Sequence, residues 1–139
     1  MKLLIDECLS PHLTVMAQEH GFGDSSHVVW RGWSGLKDWQ LKPPILAGDW
    51  TFVTRNAIDF RGPRNAPGTA GEYADVELHA GLVCLSGPAS MDLEMCSDLF
   101  ALALEELARE PDLINQVLEV TLDDDEILIR RYALPVDSI

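Results

Sequence analysis

The chain opens on a short apolar run, Leu3-Leu4-Ile5, stopped by Asp6 and Glu7. A run this brief, bounded by charge, predicts a buried strand. Ser10-Pro11 then supplies a capping residue and a proline for a first helical position. They predict a helix through Leu13, Met16, Ala17 and His20 that Gly21 ends. His27-Val28-Val29-Trp30 predicts a second strand. Asp38 opens a second helix towards Ala47. Pro43 and Pro44 are expected to kink or restart it, because proline removes a backbone donor and restricts the residue before it. Thr51-Phe52-Val53-Thr54 and Gly81-Leu82-Val83-Cys84-Leu85 predict two further strands. Between them, the stretch from Arg61 to Glu72 holds three glycines and two prolines and reads as a loop, a flap over the sheet edge. Ser90 is expected to cap a long amphipathic helix over about Met91–Arg109, with Leu93, Cys96, Phe100, Leu104 and Leu107 inward. Pro111 ends it. Gln116–Leu122 and Glu126–Ala133 predict a hairpin around Asp123-Asp124-Asp125.

The order β-α-β-α-β-loop-β-α-β-β predicts one α/β domain over residues 1–139. Its sheet should be mainly parallel and flanked by helices, with a β-hairpin at the C-terminal end. In such sheets ligands bind beyond the carboxyl ends of the strands. That rule gathers Asp6 and Glu7 after the first strand with Arg55, Asn56 and Asp59 after the third. Asp38 opens the helix that leads into the same strand. Clustered carboxylates raise each other's pKa unless a cation neutralises them. All-oxygen donors select Mg²⁺ or Mn²⁺ over zinc. Such an ion activates water and polarises a phosphoryl oxygen, so the chemistry expected is phosphodiester hydrolysis. Asp6, Asp38 and Asp59 are the candidate catalytic and metal-holding residues, with Glu7 as an additional acid. Arg55 is a candidate substrate contact, since a guanidinium grips a phosphate with two bonds. Each residue also has a simpler role: Asp38 as a helix cap, Asp59 as a turn residue, Glu7 as a solvated acid, Arg55 as an ion-pair partner, and Asn56 in a left-handed turn.

Composition changes this picture in one respect. The 139 residues carry a net charge of −13, which excludes a protein that coats nucleic acid or anionic lipid by bulk attraction. Residues 1–60 are nearly neutral at −2, however, and residues 91–139 carry −10. The candidate site therefore lies in the less acidic part. Cys8, Cys84 and Cys96 form no CxxC pair and suit a reducing compartment. No apolar stretch approaches the roughly 20 residues of a membrane span, and none reads as a signal peptide. The cytoplasm is the expected location, without membrane association.

The segment Leu4-Ile5-Asp6-Glu7-Cys8-Leu9-Ser10-Pro11 resembles the LIDENLP opening of small bacterial PIN-like proteins, a family largely of unknown function. The stretch from Asp38 through Leu46-Ala47 to Phe52-Val53-Thr54-Arg55-Asn56-Ala57-Ile58-Asp59-Phe60 is similar to the family's next block, a helix opened by aspartate and a strand ending in Thr-Arg-Asn/Asp-x-x-Asp-Phe. The resemblance covers residues 1–60. It implies a PIN-like three-layer sandwich in which Asp6, Asp38 and Asp59 coordinate Mg²⁺ or Mn²⁺ and Asn56 fills the polar position of the Thr-Arg-Asn block. It also implies a ribonuclease, the toxin of a type II toxin–antitoxin pair, with RNA as substrate and an antitoxin protein as partner. A homodimer is a further candidate assembly. PIN domains carry another acid on a helix between the first and third; here the chain between Asp6 and Asp38 offers only Glu7, Glu19 and Asp24. That gap supports an alternative, a catalytically weak PIN-like protein acting as a protein-interaction module.

The remaining signals add little chemistry. His12, His20, His27 and His79 lack zinc-ligand spacing and read as solvent-facing or hydrogen-bonded. Arg61 and Arg64 in the glycine-rich loop read as solvated, with RNA contact as the other option. Trp30, Trp33, Trp39 and Trp50 cluster within a short stretch and suit either core packing or a protein interface.

Overall fold

The computed structural model of the protein describes residues 1–135. Ten elements follow one another: β1 (Leu3–Ile5), α1 (His12–Glu19), β2 (Ser26–His27), α2 (Asp38–Ala47), β3 (Thr51–Thr54), α3 (Ala57–Arg61), β4 (Leu82–Ser86), α4 (Leu93–Arg109), β5 (Gln116–Asp123) and β6 (Glu126–Ala133). The six strands form one sheet in the order β2-β1-β3-β4-β5-β6. The first five run parallel, and β6 folds back antiparallel on β5. The expected α/β class, parallel sheet and C-terminal hairpin are all present. The hairpin is not an appendage, because β5 joins β4 and carries β6 to the sheet edge.

Strand alternation divides the core in two. Leu3, Ile5, Val53, Val83, Leu85, Leu118 and Val120 face α1 and α4, where they meet Leu13, Ala17, Leu99, Phe100, Leu104 and Leu107. Leu4, Phe52, Leu82, Cys84 and Val117 face the other way, onto Leu41 and Ile45 of α2, Phe60 of α3 and Tyr73. Burial on both faces explains why β1 and β4 read as nearly continuous apolar runs, while β3 keeps Thr51 and Thr54 at its ends.

Four local expectations are corrected. The second strand is only Ser26–His27; Val28 and Val29 already belong to turns, where the Trp33 and Gly32 amides donate to their carbonyls. The helix opened by Asp38 runs unbroken through Pro43 and Pro44. The carbonyls deprived of a donor there belong to Trp39 and Gln40, both exposed, so water replaces the missing bonds. The long helix is capped by Asp92, whose carboxylate accepts the Met95 amide at 2.9 Å, and not by Ser90. Finally, Asn56-Ala57 starts an extra helix, α3.

The Arg61–Glu72 loop is pinned to that helix. Glu72 and Tyr73 amides donate to the Asp59 and Phe60 carbonyls at 2.9 Å each. Gly71 makes this closure possible: its φ is +92°, and a Cβ there would lie 2.6 Å from the Phe60 carbonyl oxygen.

Candidate active site

Asp6 follows β1 directly, and its amide donates to the Val53 carbonyl at 2.9 Å, which fixes it at the carboxyl end of the sheet beside β3. Its side chain is 4 % exposed. One oxygen accepts the Glu7 amide at 2.8 Å; the other accepts the Thr54 hydroxyl at 2.7 Å and the Cys8 thiol at 3.4 Å. Burial raises the Asp6 pKa, against the lowering effect of these donors. The Cys8 thiol, on an exposed residue, donates to Asp6, and desolvation at its sulfur with the Asp6 charge beside it pushes the thiol up to about 12.

Thr54 ties two strand ends together. Its hydroxyl donates to Asp6 and accepts the Asn56 amide at 3.0 Å, so the opening of α3 is set by the residue that holds Asp6. The sequence marks Thr54 only as the strand-ending member of the Thr-Arg-Asn block, not as a partner of Asp6.

Asp38 stands at the first position of α2, half-buried. Burial raises its pKa first, followed by the negative charges of Asp59, Asp6 and Glu72. Asp6 and Asp59 thus lie close enough to Asp38 for their charges to act on it. Glu72 is the unpredicted fourth member. It comes from the loop after α3 and reaches the site because its amide is bonded to the Asp59 carbonyl. An acid sought between Asp6 and Asp38 is supplied from the other side of Asp59.

The additional acid and the basic candidates are held by protein groups. The Glu7 carboxylate accepts the Ser34 hydroxyl at 3.0 Å and the Gly35 amide at 3.1 Å, which anchors the loop leading into α2. Arg55 donates to the carbonyls of Met91 at 3.0 Å and Pro88 at 3.3 Å, so it fastens the turn before α4. Those bonds use two of its five N–H donors. Asn56 is exposed at the start of α3, at the rim of a cavity of about 420 Å³ that Arg55, Arg64 and Ser86 also line.

The donor set around Asp38 is all carboxylate oxygen, which fits a hard divalent cation. Among the described residues, no three His, Cys, Asp or Glu side chains close around a point that would hold an ion. Mg²⁺ does not require such a cage; it keeps several waters and binds through one or two carboxylates.

Elsewhere the sequence expectations divide. Arg61 is neither solvated nor a nucleic-acid contact: it is 5 % exposed and paired with Glu119 of β5, itself 1 % exposed. Tyr132 donates to the same Glu119 oxygen at 2.7 Å. His27 and His79 are buried and hydrogen-bonded, to the Leu9 and Leu134 carbonyls, while His12 and His20 are exposed. Trp50 belongs to the core and Trp33 packs against it; Trp30 and Trp39 are 52 % and 65 % exposed. Among the described residues, no helix is long and apolar enough to cross a membrane.

No family model matches the chain. No solved structure matches it either. The chain is 68 % identical over 87 residues to the uncharacterized protein y4eN of Sinorhizobium fredii, a match covering 63 % of this chain and 84 % of that protein. The two belong to one family.

Proposed function

We propose that this chain, as a member of the family that includes y4eN, is a PIN-like ribonuclease dependent on Mg²⁺ or Mn²⁺ and the toxin of a type II toxin–antitoxin pair. The observation that carries this reading is the shared field of Asp6, Asp38, Asp59 and Glu72 beyond the carboxyl ends of β1 and β3. Asp38 carries the added effect of the negative charges of Asp59, Asp6 and Glu72, which favours a cation beside it, and parallel sheets bind ligands at that end. Asp38 would hold the ion, with Asp6, Asp59 and Glu72 as its charged neighbours. When bound, the ion lowers the pKa of water and offsets charge on a phosphoryl oxygen. Thr54 and the Glu7 amide orient the Asp6 carboxylate. Asn56 and the unspent N–H groups of Arg55 meet the substrate phosphate.

The charge distribution supports a direction of approach for RNA. The turn at Asp123–Glu126 projects from the same sheet end, on the β5 side. RNA therefore enters from the side of β1 and α2. The three cysteines are free thiols, which supports the cytoplasm as the compartment.

A second reading, a protein-interaction module with little catalysis, draws on Trp30 and Trp39. Trp39 follows Asp38 in the first turn of α2, and its ring is 65 % exposed. Exposed tryptophans are frequent anchors of protein interfaces.

Mg²⁺-dependent cleavage of a mixed-sequence single-stranded RNA separates the two readings. The ribonuclease reading expects cleavage that chelation stops and that Asp6→Asn and Asp38→Asn abolish. Cleavage equal in both variants would remove the site assignment, and no cleavage under any divalent ion would favour the interaction module.

A further inference from the structure

The sheet has two unequal edges. β2 is two residues long and offers little backbone to pair. β6 is eight residues long, holds no proline and no lysine, and among the described residues pairs on its β5 side only. Ile127 and Ile129 are 44 % and 43 % exposed on one of its faces. Proteins blunt long edges with proline, a bulge or charged side chains; β6 has neither proline nor a bulge, and its Glu126 and Arg130 are of opposite sign.

We propose that β6 pairs antiparallel with β6 of a second copy of this chain, about a two-fold axis at Leu128. The charges set the register. An axis at Leu128 places Glu126 opposite Arg130 of the second copy, and Ile127 opposite its Ile129. Opposite charges and apolar side chains are the cross-strand pairs that stabilise a sheet, and the two-fold repeats each of them. An axis at Ile129 would instead set Glu126 opposite Tyr132 and Leu128 opposite Arg130, leaving the charges unmatched. The side chain of Arg130 is 44 % exposed, and among the described residues its carboxylate partner is Glu119, 3.6 Å away. The guanidinium therefore has N–H groups for a second carboxylate. The pairing makes a continuous sheet of twelve strands, six from each copy. It leaves the acid cluster, four strands away beyond β1, open in both copies.

The test is the mass of the full chain in solution by light scattering over a range of concentration, at about 0.15 M salt where long-range repulsion is screened. The wild type should rise from 15.4 kDa towards twice that value. Glu126→Arg sets like charges opposite each other twice and should leave a monomer at concentrations where the wild type is dimeric. Glu126→Arg with Arg130→Glu exchanges the charges and should restore the dimer. Ile127→Lys, at an exposed position that leaves the Arg130–Glu119 contact intact, should also give a monomer. Its circular dichroism reports that the fold is kept. A wild type that stays monomeric overturns the proposal, as does a dimer indifferent to both Glu126→Arg and Ile127→Lys.

Discussion

Thr54 donates its hydroxyl proton to Asp6 at 2.7 Å, across the parallel register in which Ile5 lies beside Val53. The bond joins the ends of two strands and lowers the cost of a charge that burial raises. Thr54→Val keeps the shape and removes the donor. It should weaken divalent-ion binding and lower stability by about 1 kcal/mol, the usual net worth of one hydrogen bond. Urea unfolding and ion titration of the same variant check both effects. Unchanged ion affinity would mean that Thr54 does not orient Asp6.

Asp6 also has a pH signature. Its folded-state pKa lies above the unfolded value of 3.8, so the native chain holds that proton more tightly than the unfolded one. Ionised Asp6 therefore costs stability at neutral pH, and the cost disappears as pH falls through the folded pKa. In chelator, the stability of the wild type relative to Asp6→Asn, whose amide does not titrate, should therefore rise as pH falls from neutral towards about pH 4, near the ordinary carboxylate pKa. Thermal unfolding of both chains across that range decides it; a difference that stays constant or moves the other way contradicts a raised Asp6 pKa.

Arg61 and Glu119 form a buried ion pair that links α3 to β5. Removing one partner strands the other charge away from water. Arg61→Ala should therefore cost about 3–5 kcal/mol. The double change Arg61→Met with Glu119→Leu should cost far less, because neither charge remains. Chemical unfolding of the single and double variants measures this; equal losses would show that the pair matters through packing and not through charge.

Much of this was legible in the chain. Short apolar runs located β1 and β4, because strands buried on both faces carry few polar positions to confuse the pattern. The alternation of elements gave the parallel sheet, and its carboxyl-end rule brought Asp6, Asp38 and Asp59 together. What stayed hidden depended on contacts between distant segments. Glu72 joins the site only because Gly71 lets the loop close on Asp59. Arg61 looked solvated because its partner Glu119 is fifty-eight residues away, in a strand not yet placed beside it. Pro43 and Pro44 suggested a break, and the helix survives because the carbonyls they orphan face water. Glu7 and Arg55 looked like site residues, yet their side chains spend bonds on the loops that frame the site.

The proposed function requires a divalent ion at Asp38, held by one or two carboxylates and water, with Asp6, Asp59 and Glu72 as its charged neighbours. Electron paramagnetic resonance of Mn²⁺ titrated into the full chain tests it directly, because bound and free ion give different signals and Mg²⁺ competes for the same oxygens. The account predicts one site that Mg²⁺ displaces, that Asp6→Asn weakens by more than tenfold, about 1.4 kcal/mol, and that Asp38→Asn removes. Mn²⁺ binding of the same strength in the wild type and in both variants would contradict it.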